Sequence, residues 1–338
     1  MEEIKSPTFS LSTEFESRIQ KTYEKLFSIN PGSDPGLSHA ITLAHKYYIE
    51  NPEASSPWHR DWFQKAYLAY YLPLNYLRIK GVLHRLKGQS FLEEKLNITE
   101  WGSGNGAFSL AFKETDWQAD FQFIEQGGAA KKQHELLEGK SLKFIEDIKS
   151  AKSFDFFVAS YSFTELTKLP DFVWDFDRLL LIEPSTNQDG RRLMSYRQNF
   201  IDEAYNVLAP CTHQGTCPLL KESEKDWCHD SFQMDYPEYL LSIENKIPVR
   251  LGPLSVSYLL VSKKDENPHL GKLRVTGNTL KERGKVRQMI CRGEDREFLS
   301  WFPKRAPVPF ISRGELLELE DGFQKKSNEI RGQVKAPE

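Results

Sequence analysis

The sequence predicts an α/β protein with a parallel, doubly wound sheet, preceded by an N-terminal helical region and followed by a small C-terminal β appendage. Candidate strands and helices alternate between residues 97 and 205, which is the pattern of a parallel sheet. Before residue 95, apolar residues recur at the helical spacing of three and four. We expect a helical region over 1–95, a sheet domain over 96–262, a basic β appendage over 263–320 and a polar tail over 321–338.

Composition excludes several broad classes of protein. The chain has 338 residues, of which 39% are hydrophobic and 28% are charged, so it is neither wholly disordered nor a fibrous repeat. Its longest aliphatic run, Leu179–Ile182, is far too short to span a bilayer. The first ten residues resemble neither a signal peptide nor an Arg-rich transit peptide. We therefore expect no membrane association and a cytoplasmic location, or a mitochondrial matrix location if a presequence has been removed.

Two sets of apolar residues define the helical region. The longer set interrupts its period once, at Pro73, which predicts a kink or two abutting helices because proline has no N–H to donate. A loop is expected over 51–57, between the two sets. The sets are Leu37, Ile41, Ala44 and Tyr48, and Leu68, Leu72, Tyr76, Ile79, Leu83 and Leu86.

Candidate strands follow, most of them separated by a turn or a helix. The strand at 154–160 is largely apolar, as a strand buried on both faces should be. The strands of the sheet domain are expected at 97–101, 121–125, 141–146, 154–160, 178–183 and 256–261, with helices from about 106, at 128–137 and at 191–205. The appendage is expected to contain strands at 272–275, 286–291 and 297–302.

A glycine-rich turn follows the first candidate strand. Residues 98–106 read ITEWGSGNG, which places Glu100, Gly102, Gly104 and Gly106 in the pattern E-x-G-x-G-x-G. Glycines at such an exit allow a tight turn and the close approach of a ligand. The spacing differs from the G-x-G-x-x-G fingerprint of dinucleotide-binding proteins. An acidic residue at the strand end suits a ligand with a positive amine, and S-adenosylmethionine fits that description.

Three later positions extend the predicted S-adenosylmethionine site. Glu125 ends the second strand about twenty residues after the turn, the usual interval for a carboxylate that accepts hydrogen bonds from ribose hydroxyls. Asp147 follows the third strand, where it would meet the adenine amino group. Ser160 ends the fourth strand, beside the expected position of the methyl donor. The alternative is a set of ordinary tight turns and a surface carboxylate that bind no ligand.

Four cysteines form the second candidate site. Three of them lie in the irregular stretch 207–232, and no C-x-x-C pair occurs, which argues against an ordinary zinc ribbon. Four thiolates could still form a closed site for zinc or for an iron–sulfur cluster. His213 and His229 are alternative ligands, and four unrelated buried thiols are the remaining interpretation. The cysteines are Cys211, Cys217, Cys228 and Cys291.

Several blocks of sequence occur in a characteristic order. They are EWGSGNG (100–106), FDFFVASYSFTEL (154–166), LLLIEPS (179–185), APCTHQGTCPL (209–219), DWCHDS (226–231) and VRQMICRG (286–293). In these blocks the sequence resembles the methyltransferase-like assembly factors of the mitochondrial small ribosomal subunit and their bacterial relatives, the family that includes methyltransferase-like protein seventeen. The cysteine blocks are the most specific part of the resemblance, and the glycine block is the least specific.

The resemblance implies a fold, a metal site and a partner. The fold is that of class I S-adenosylmethionine-dependent methyltransferases, with a Rossmann-like sheet. The metal site is an iron–sulfur cluster, 4Fe-4S first and zinc as the alternative. The partner is the ribosomal RNA of the small subunit during ribosome assembly or translation, bound by a chain that is monomeric away from the ribosome. The implied metal ligands are Cys211, Cys217, Cys228 and Cys291.

The sequence names no catalytic residue. Enzymes that methylate exocyclic amines often carry an Asn/Asp-Pro-Pro-aromatic turn after the fourth strand, whereas this chain reads SYSF over 160–163. Cys211 follows a proline but lies beyond the fifth strand, and a metal would occupy its thiolate. Three interpretations stay open: an rRNA methyltransferase, a non-catalytic assembly factor that binds S-adenosylmethionine, and a methyltransferase for a small molecule or protein.

Positive charge is concentrated in the C-terminal appendage, although the net charge of the chain is −3. Between residues 262 and 313, thirteen Lys or Arg stand against six Asp or Glu. Such an excess is a modest indication of a surface that contacts nucleic acid, and the alternative is an ordinary solvated surface. We expect phosphate contacts from Lys272, Arg274, Lys281, Arg283, Lys285 and Arg287.

Overall fold

The computed structural model describes residues 3–151, 155–163, 166 and 168–337. The chain divides into two compact units. The glycine unit comprises residues 8–177 and 232–254, and the cysteine unit comprises residues 1–7, 178–231 and 255–338. This division does not test the domain boundaries predicted from the sequence, which stay a prediction.

The first part of the glycine unit is helical, as the apolar periods predict. The buried residues of the helix Leu37–Glu50 include Leu37, Ile41 and Ala44, which form one face of it. The helices are α1 (Thr13–Phe27), α2 (Leu37–Glu50), α3 (Asp61–Ala66), α4 (Leu72–Arg85), α5 (Ala107–Phe112) and α6 (Gly128–Glu138), with a further short helix over Glu238–Ile243. Phe9–Ser10 and Met234–Asp235 form a short parallel pair of strands in the same unit.

The predicted interruption at Pro73 takes the form of a π-helical turn, Tyr67–Tyr71, between α3 and α4. Proline cannot donate to the carbonyl four residues earlier, which belongs to Ala69. The hydroxyl of Tyr239 donates to that carbonyl at 2.8 Å. The helical region therefore continues through the proline with its buried carbonyl satisfied.

Three parallel strands form the sheet of the glycine unit. They are β1 (Leu96–Trp101), β2 (Ala119–Ile124) and β3 (Phe156–Ser160), and β1 lies between the other two. The strand predicted at 141–146 is reduced to one bridge between Phe144 and Phe123. Phe154, at the start of the predicted fourth strand, lies outside the described residues. The carboxyl ends of parallel strands meet at one edge, where α/β proteins bind their ligands.

The cysteine unit begins with a second group of strands. They are β4 (Arg178–Glu183), β5 (Asn206–Ala209) and β6 (Leu254–Ser262), and α7 (Asn187–Asp202) connects β4 to β5. β6 is antiparallel to both β4 and β5 and lies between them. An antiparallel strand inserted between two parallel ones is characteristic of the class I methyltransferase fold, so the predicted fold class is confirmed. A short helix, Pro218–Glu222, follows β5.

The C-terminal residues of the cysteine unit form a second set of strands. These strands are β7 (Leu273–Val275), β8 (Leu280–Glu282), β9 (Lys285–Cys291), β10 (Glu297–Trp301), β11 (Leu316–Leu319), β12 (Gln324–Lys326), β13 (Glu329–Arg331) and β14 (Val334–Lys335). β7 pairs antiparallel with β9 and β11, and β9 pairs antiparallel with β8 and β10. β10 pairs parallel with β13, and β11 pairs antiparallel with β14.

This second set closes into a barrel. The order β13-β10-β9-β7-β11-β14 begins and ends on strands that only two residues separate in the chain. One buried apolar cluster includes residues from each of these strands: Leu273, Val275, Ile290, Leu299, Leu317, Ile330 and Val334. The polar tail predicted from residue 321 is wrong for 324–335, because these residues supply the strands that close the barrel.

Two further observations complete the fold. Glu3–Ile4 pairs parallel with Phe310–Ile311 in the cysteine unit, so the N-terminal residues lie beside the barrel. Among the described residues, no helix has both the length and the apolar character that crossing a membrane requires.

Candidate functional site

A turn of three glycines follows β1 in the glycine unit. Gly102, Gly104 and Gly106 have φ angles of 64°, 54° and 88°. These angles lie in the left-handed region, where a side chain is strained, so the turn favours glycine at each position. The N–H of Gly102 donates to the carbonyl of Ile124 at 2.8 Å, which ties the turn to the end of β2.

Two of the three glycines allow close packing inside the protein. A Cβ added at Gly106 would lie 2.2 Å from Nε2 of His134. A Cβ added at Gly102 would lie 2.6 Å from Cβ of Ser162. Both positions are therefore filled by the protein itself, and neither has room for a ligand beside its Cα.

The third glycine has space beside it. A Cβ at Gly104 would meet nothing nearer than 3.8 Å, at the side chains of Trp58 and Tyr67. The carboxylate of Glu125 accepts hydrogen bonds from the N–H of Gly104 at 2.8 Å and from the N–H of Gly127 at 2.6 Å. Glu125 is thus held beside the turn, directly after β2, where the sequence predicts the ribose-binding carboxylate.

Glu100 lies on β1 and is fully buried. Neither carboxylate oxygen makes a hydrogen bond of normal geometry with another described residue. Burial raises the pKa of Glu100 to about 8, against the opposing effects of Lys113 and Ser109. Burial makes the charged form of this carboxyl costly and so favours its neutral form, whereas a cation beside it would favour the charged form.

The other two predicted ligand residues occupy different environments. Asp147 is exposed, and its carboxylate accepts a hydrogen bond from the N–H of Lys149 at 3.1 Å, which caps a short helical turn. Ser160 ends β3 and is half-buried. The next residue, Tyr161, has a φ angle of 57°, so the chain turns sharply there. Parallel pairing places Ser160 at the same sheet edge as the glycine turn.

The four cysteines of the cysteine unit line one cavity. All four are free thiols and half-buried. They reach the cavity from different elements, since Cys211 follows β5, Cys217 precedes the short helix Pro218–Glu222, and Cys291 ends β9. The structure therefore brings together four residues that are spread over some eighty positions of the sequence.

A buried arginine on α7 faces this cavity. The side chain of Arg197 is 2% exposed. Its Nε donates to Sγ of Cys211 at 3.1 Å, and its Nη2 donates to the carbonyl of His213 at 2.8 Å. Its Nη1 has no hydrogen-bond partner among the described residues, and no ion pair joins the side chain to a described carboxylate. Its pKa is raised because the neighbouring thiols outweigh the opposite effect of burial.

A second buried arginine contacts the cysteines from the barrel. Arg274 lies on β7 and is 3% exposed. Its Nη1 donates to Sγ of Cys228 at 3.2 Å. Unlike Arg197, it also forms an ion pair with a buried carboxylate, that of Asp230. The cavity thus has two cations at its wall, of which one is balanced by a carboxylate.

Burial favours the neutral forms of the groups around the cavity. The pKa of Cys217 is raised to about 11 by burial and by Cys211. Burial and the other cysteines raise the pKa of Cys291 as well. The pKa of His213 is lowered to about 4 by burial and by Arg197. Because the thiolate is the metal-binding form, a metal would have to displace the thiol protons.

The two histidines that the sequence offers as alternative ligands lie in different places. His213 lines the cavity, with Nε2 3.3 Å from Sγ of Cys291. His229 stacks on Trp227, with ring centroids 5.2 Å apart. Within the described part of the chain, no three His, Cys, Asp or Glu side chains are close enough together to hold a metal ion. The metal ligands predicted from the sequence therefore stay a prediction.

Arg197 is a site residue that the sequence patterns do not predict. The buried residues of α7 include Leu193, Met194 and Phe200, and Arg197 follows them at helical spacing. A charged residue on an otherwise apolar helix face was the available signal. Nothing in the sequence connected that position to the cysteines.

A family comparison agrees with the predicted resemblance. The sequence model of the family described as mitochondrial small ribosomal subunit Rsm22 matches residues 63–313. The chain belongs to this family. As an Rsm22-family protein it is methyltransferase-like and linked to the small ribosomal subunit, and the match covers both the glycine turn and all four cysteines. No curated protein matches the chain.

Solved structures similar to this Rsm22-family chain are distant methyltransferases. The magnesium protoporphyrin IX methyltransferase of Synechocystis is 10% identical, with 67% of this chain and 97% of that chain covered and a TM-score of 0.35. TrmK of M. capricolum is 9% identical, with 57% and 70% covered and a TM-score of 0.35. A methyltransferase of Pyrococcus furiosus is 10% identical, with 55% and 82% covered and a TM-score of 0.33. Similarity this distant identifies neither a ligand nor a substrate for this chain.

Proposed function

We propose that this Rsm22-family chain binds S-adenosylmethionine at the glycine turn, holds an iron–sulfur cluster between its four cysteines and acts on small-subunit ribosomal RNA during ribosome assembly. The observation that carries the proposal is the meeting of four cysteines around one cavity, beside a buried arginine that no described carboxylate balances. The chain would act where the small subunit is assembled, in the mitochondrial matrix or in the cytoplasm of a bacterial host, and as a monomer away from the ribosome.

The charge of Arg197 supports an anionic group in the cavity. An uncompensated buried charge costs several kcal/mol, and here the nearest candidate anions are thiols whose burial favours the neutral form. Four cysteines that bind iron become thiolates, and the resulting cluster is anionic. The residue types present therefore match an iron–sulfur cluster in ligand chemistry and in charge, and the thiols would have to move closer together to bind it.

The proposed ligands are Cys211, Cys217, Cys228 and Cys291, with Arg197 and Arg274 donating to two of the sulfurs. When bound, the cluster would supply a cross-link that joins the loop 211–228 to the end of β9. Because such a site does not exist in the unfolded chain, binding contributes to folding stability. Arg197 would hold Cys211 in place and balance part of the added negative charge.

Limited proteolysis tests this role directly. The loop 211–228 and the strands β9 and β10 should resist protease after anaerobic reconstitution with iron and sulfide. They should be cut after removal of the metal by a chelator. Equal cleavage in both states would contradict a structural cluster at this site. Reconstitution with zinc alone is the matched control, and equal protection by zinc would favour the zinc alternative.

The glycine turn supports the binding of S-adenosylmethionine through two features. Both oxygens of Glu100 are buried without a hydrogen bond of normal geometry, and a cationic amine would satisfy them. Gly104 has space beside its backbone, and Glu125 is fixed next to it by two backbone N–H groups. We propose that Gly102, Gly104 and Gly106 shape this site, that Glu125 accepts the ribose hydroxyls, and that Asp147 and Ser160 complete it.

Calorimetry with S-adenosylmethionine tests the site. Gly104→Val should abolish measurable binding, because a branched side chain would occupy the space beside the turn. Lys149→Ala, near the exposed Asp147, is the control, and its binding should stay within about twofold of the wild-type chain. Unchanged affinity in Gly104→Val would contradict the assignment.

An assembly factor without turnover is the second candidate function, and one contact favours it. The hydroxyl of Ser162, two residues after β3, donates to the carbonyl of Trp101 at 3.0 Å and lies against Gly102. It is therefore engaged in the structure of the turn rather than available to orient a substrate. Transfer of labelled methyl groups from S-adenosylmethionine to small-subunit RNA separates the two functions. Label in the RNA would establish the methyltransferase, and binding without label would establish the assembly factor.

A further inference from the structure

The C-terminal barrel of the cysteine unit has a topology associated with binding single-stranded nucleic acid. Strands β7, β9 and β10 form an antiparallel meander, with the short strand β8 inserted between β7 and β9, and β10 then pairs parallel with β13. β11 then pairs with β7 and with β14, which closes the barrel. β13 and β14 are consecutive in the chain and together take the place of the fifth strand. This is the strand order of the five-stranded Greek-key barrel known as the OB-fold. Its members bind oligonucleotides through the face of strands two and three, the loop between strands one and two and the loop between strands four and five.

One end of this barrel carries two neighbouring segments, which we call the barrel rim: residues 278–285 and 302–310. The side-chain amide of Gln288 donates to the carbonyl of Gly277 at 3.1 Å and to that of Ile311 at 2.9 Å, which brings the two segments to the same end. The pairing of β9 with β10 supports this placement. Val286, near the start of β9, lies opposite Trp301, the last residue of β10, so the segments next to them lie at the same end of the barrel.

The barrel rim is basic. It contains five basic residues and one acidic residue, whereas the whole chain has a net charge of −3. Lys281, Arg283 and Lys304 are exposed, and none of the three is in an ion pair with another described residue. These cations are available to phosphate groups.

Two exposed apolar side chains lie among the cations of the rim. Phe310 is 53% exposed and Leu280 is 45% exposed. Exposed aromatic rings interleaved with cations are the combination on which single-stranded bases stack while phosphates are neutralised. A purely electrostatic surface would not require these apolar groups to face water.

The structure also corrects which basic residues can contact RNA. Arg274 is 3% exposed and paired with Asp230, so the phosphate contact predicted for it is wrong. Lys285 and Arg287 both form ion pairs with Glu282. Lys272 lies 3.6 Å from Glu318. Of the six predicted contacts, Lys281 and Arg283 stay on the rim without an ion-pair partner.

We propose that the barrel rim binds a single-stranded segment of RNA, with Lys281, Arg283 and Lys304 on phosphates and Phe310 against a base. The proposal rests on the ribosomal RNA association of the proposed function, and it names the surface through which that association is made. It does not depend on S-adenosylmethionine or on the metal.

Fluorescence anisotropy with a labelled, mixed-sequence single-stranded RNA of about twenty nucleotides tests the proposal on the full chain. The double variant Lys281→Glu/Arg283→Glu should bind at least about tenfold more weakly, and its salt dependence should be shallower by about one unit of slope. Phe310→Ala should weaken binding by roughly five- to a hundredfold, the range measured for base–aromatic stacking.

The matched control changes the same charge elsewhere. Lys21→Glu/Lys25→Glu alters two exposed lysines of α1 by the same total charge and should keep affinity within about twofold. All variants should retain the wild-type melting temperature and wild-type binding of S-adenosylmethionine.

Three results would overturn the proposal. Equal loss in the α1 control would show that only net charge matters. Equally tight binding of a duplex of the same sequence would exclude single-strand recognition. Wild-type RNA affinity in the rim variant, combined with lost co-sedimentation with small subunits, would make the rim a protein contact while leaving the ribosomal association of the proposed function intact.

Discussion

The glycine turn and the four-cysteine cavity hold their functional residues in different ways. In the glycine unit the backbone makes the site, through three left-handed glycines and the N–H groups that fix Glu125. In the cysteine unit the side chains make it, through thiols that reach one cavity from a loop and a strand. In the first arrangement the backbone already fixes Glu125 without a ligand, and only the buried oxygens of Glu100 lack a hydrogen bond of normal geometry. The second leaves a buried arginine that the described carboxylates do not balance, which is the reason that we propose an anionic group for this cavity.

Loss of a cysteine should produce the largest effect. Cys291→Ser should lose the cluster and most of the solubility of the chain, because β9 would no longer be joined to the loop that carries Cys217 and Cys228. Metal content and thermal stability measure this outcome. Ser300→Ala, on the neighbouring strand, is the control and should retain both. Full metal content in Cys291→Ser would make His213 the better fourth ligand, given its contact with Cys291.

Two alanine substitutions in the glycine turn should differ in their cost to stability, because Gly106 is packed against the protein and Gly104 is not. Gly106→Ala should lower the free energy of unfolding by about 2–4 kcal/mol, because its Cβ collides with His134 and its φ angle is positive. Gly104→Ala meets no such collision and should cost about 1 kcal/mol. Chemical denaturation gives both values. Equal costs would contradict the different roles assigned to the two glycines.

Replacing Arg197 should change the reduction potential of the proposed cluster more than it changes the stability of the fold. Arg197→Met removes a positive charge beside Cys211, which should lower the reduction potential by tens of millivolts, because reduction adds negative charge. Arg197→Lys keeps the charge but loses the Nε contact, and an intermediate potential is expected. Arg192→Met, on the same helix and paired with Asp189, is the control. An unchanged potential in Arg197→Met would remove Arg197 from the site.

The pH dependence of stability should reveal Glu100. Its pKa is about 8 when folded, above the value of 4.5 for an exposed glutamate, so the folded chain binds a proton that the unfolded chain loses between these limits. The contribution of Glu100 is therefore most favourable below pH 4.5 and declines as the pH rises to about 8.

Glu100→Gln removes this titration. The stability difference between variant and wild-type chain should move in favour of the variant from pH 5 to pH 8, at up to about 1.4 kcal/mol per pH unit. Denaturation curves across this range check the direction. A difference that does not change with pH would show that Glu100 is not held in its neutral form.

Much of this fold follows from local patterns in the sequence. Apolar periods and the glycine turn predict α2, α4, α6 and the strands β1, β2, β3 and β4 to within a few residues. The strand expected at 141–146 is reduced to one bridge, because pairing with β2 is a tertiary choice that local pattern does not encode.

The last strands of the barrel, by contrast, could not be predicted from local sequence patterns. All three residues of β12 are exposed, and only Ile330 and Val334 of the last strands have fully apolar buried side chains. So few apolar residues in a polar stretch are typical of a tail, and only the partner strands β10 and β11 make them part of a core. The cysteine site shows the same difference. The cysteines are recognisable by residue type, whereas Arg197 becomes part of their site only through the packing of α7.

The central claim is that the four cysteines hold one iron–sulfur cluster, and the metal content of the anaerobically purified chain tests it most directly. Iron, acid-labile sulfide and zinc should be measured per chain, together with the visible absorption spectrum before and after reduction. The account predicts about four irons and four sulfides per chain, with a broad visible absorbance that bleaches on reduction. About one zinc per chain without sulfide, or a fully stable chain with no metal, would contradict it.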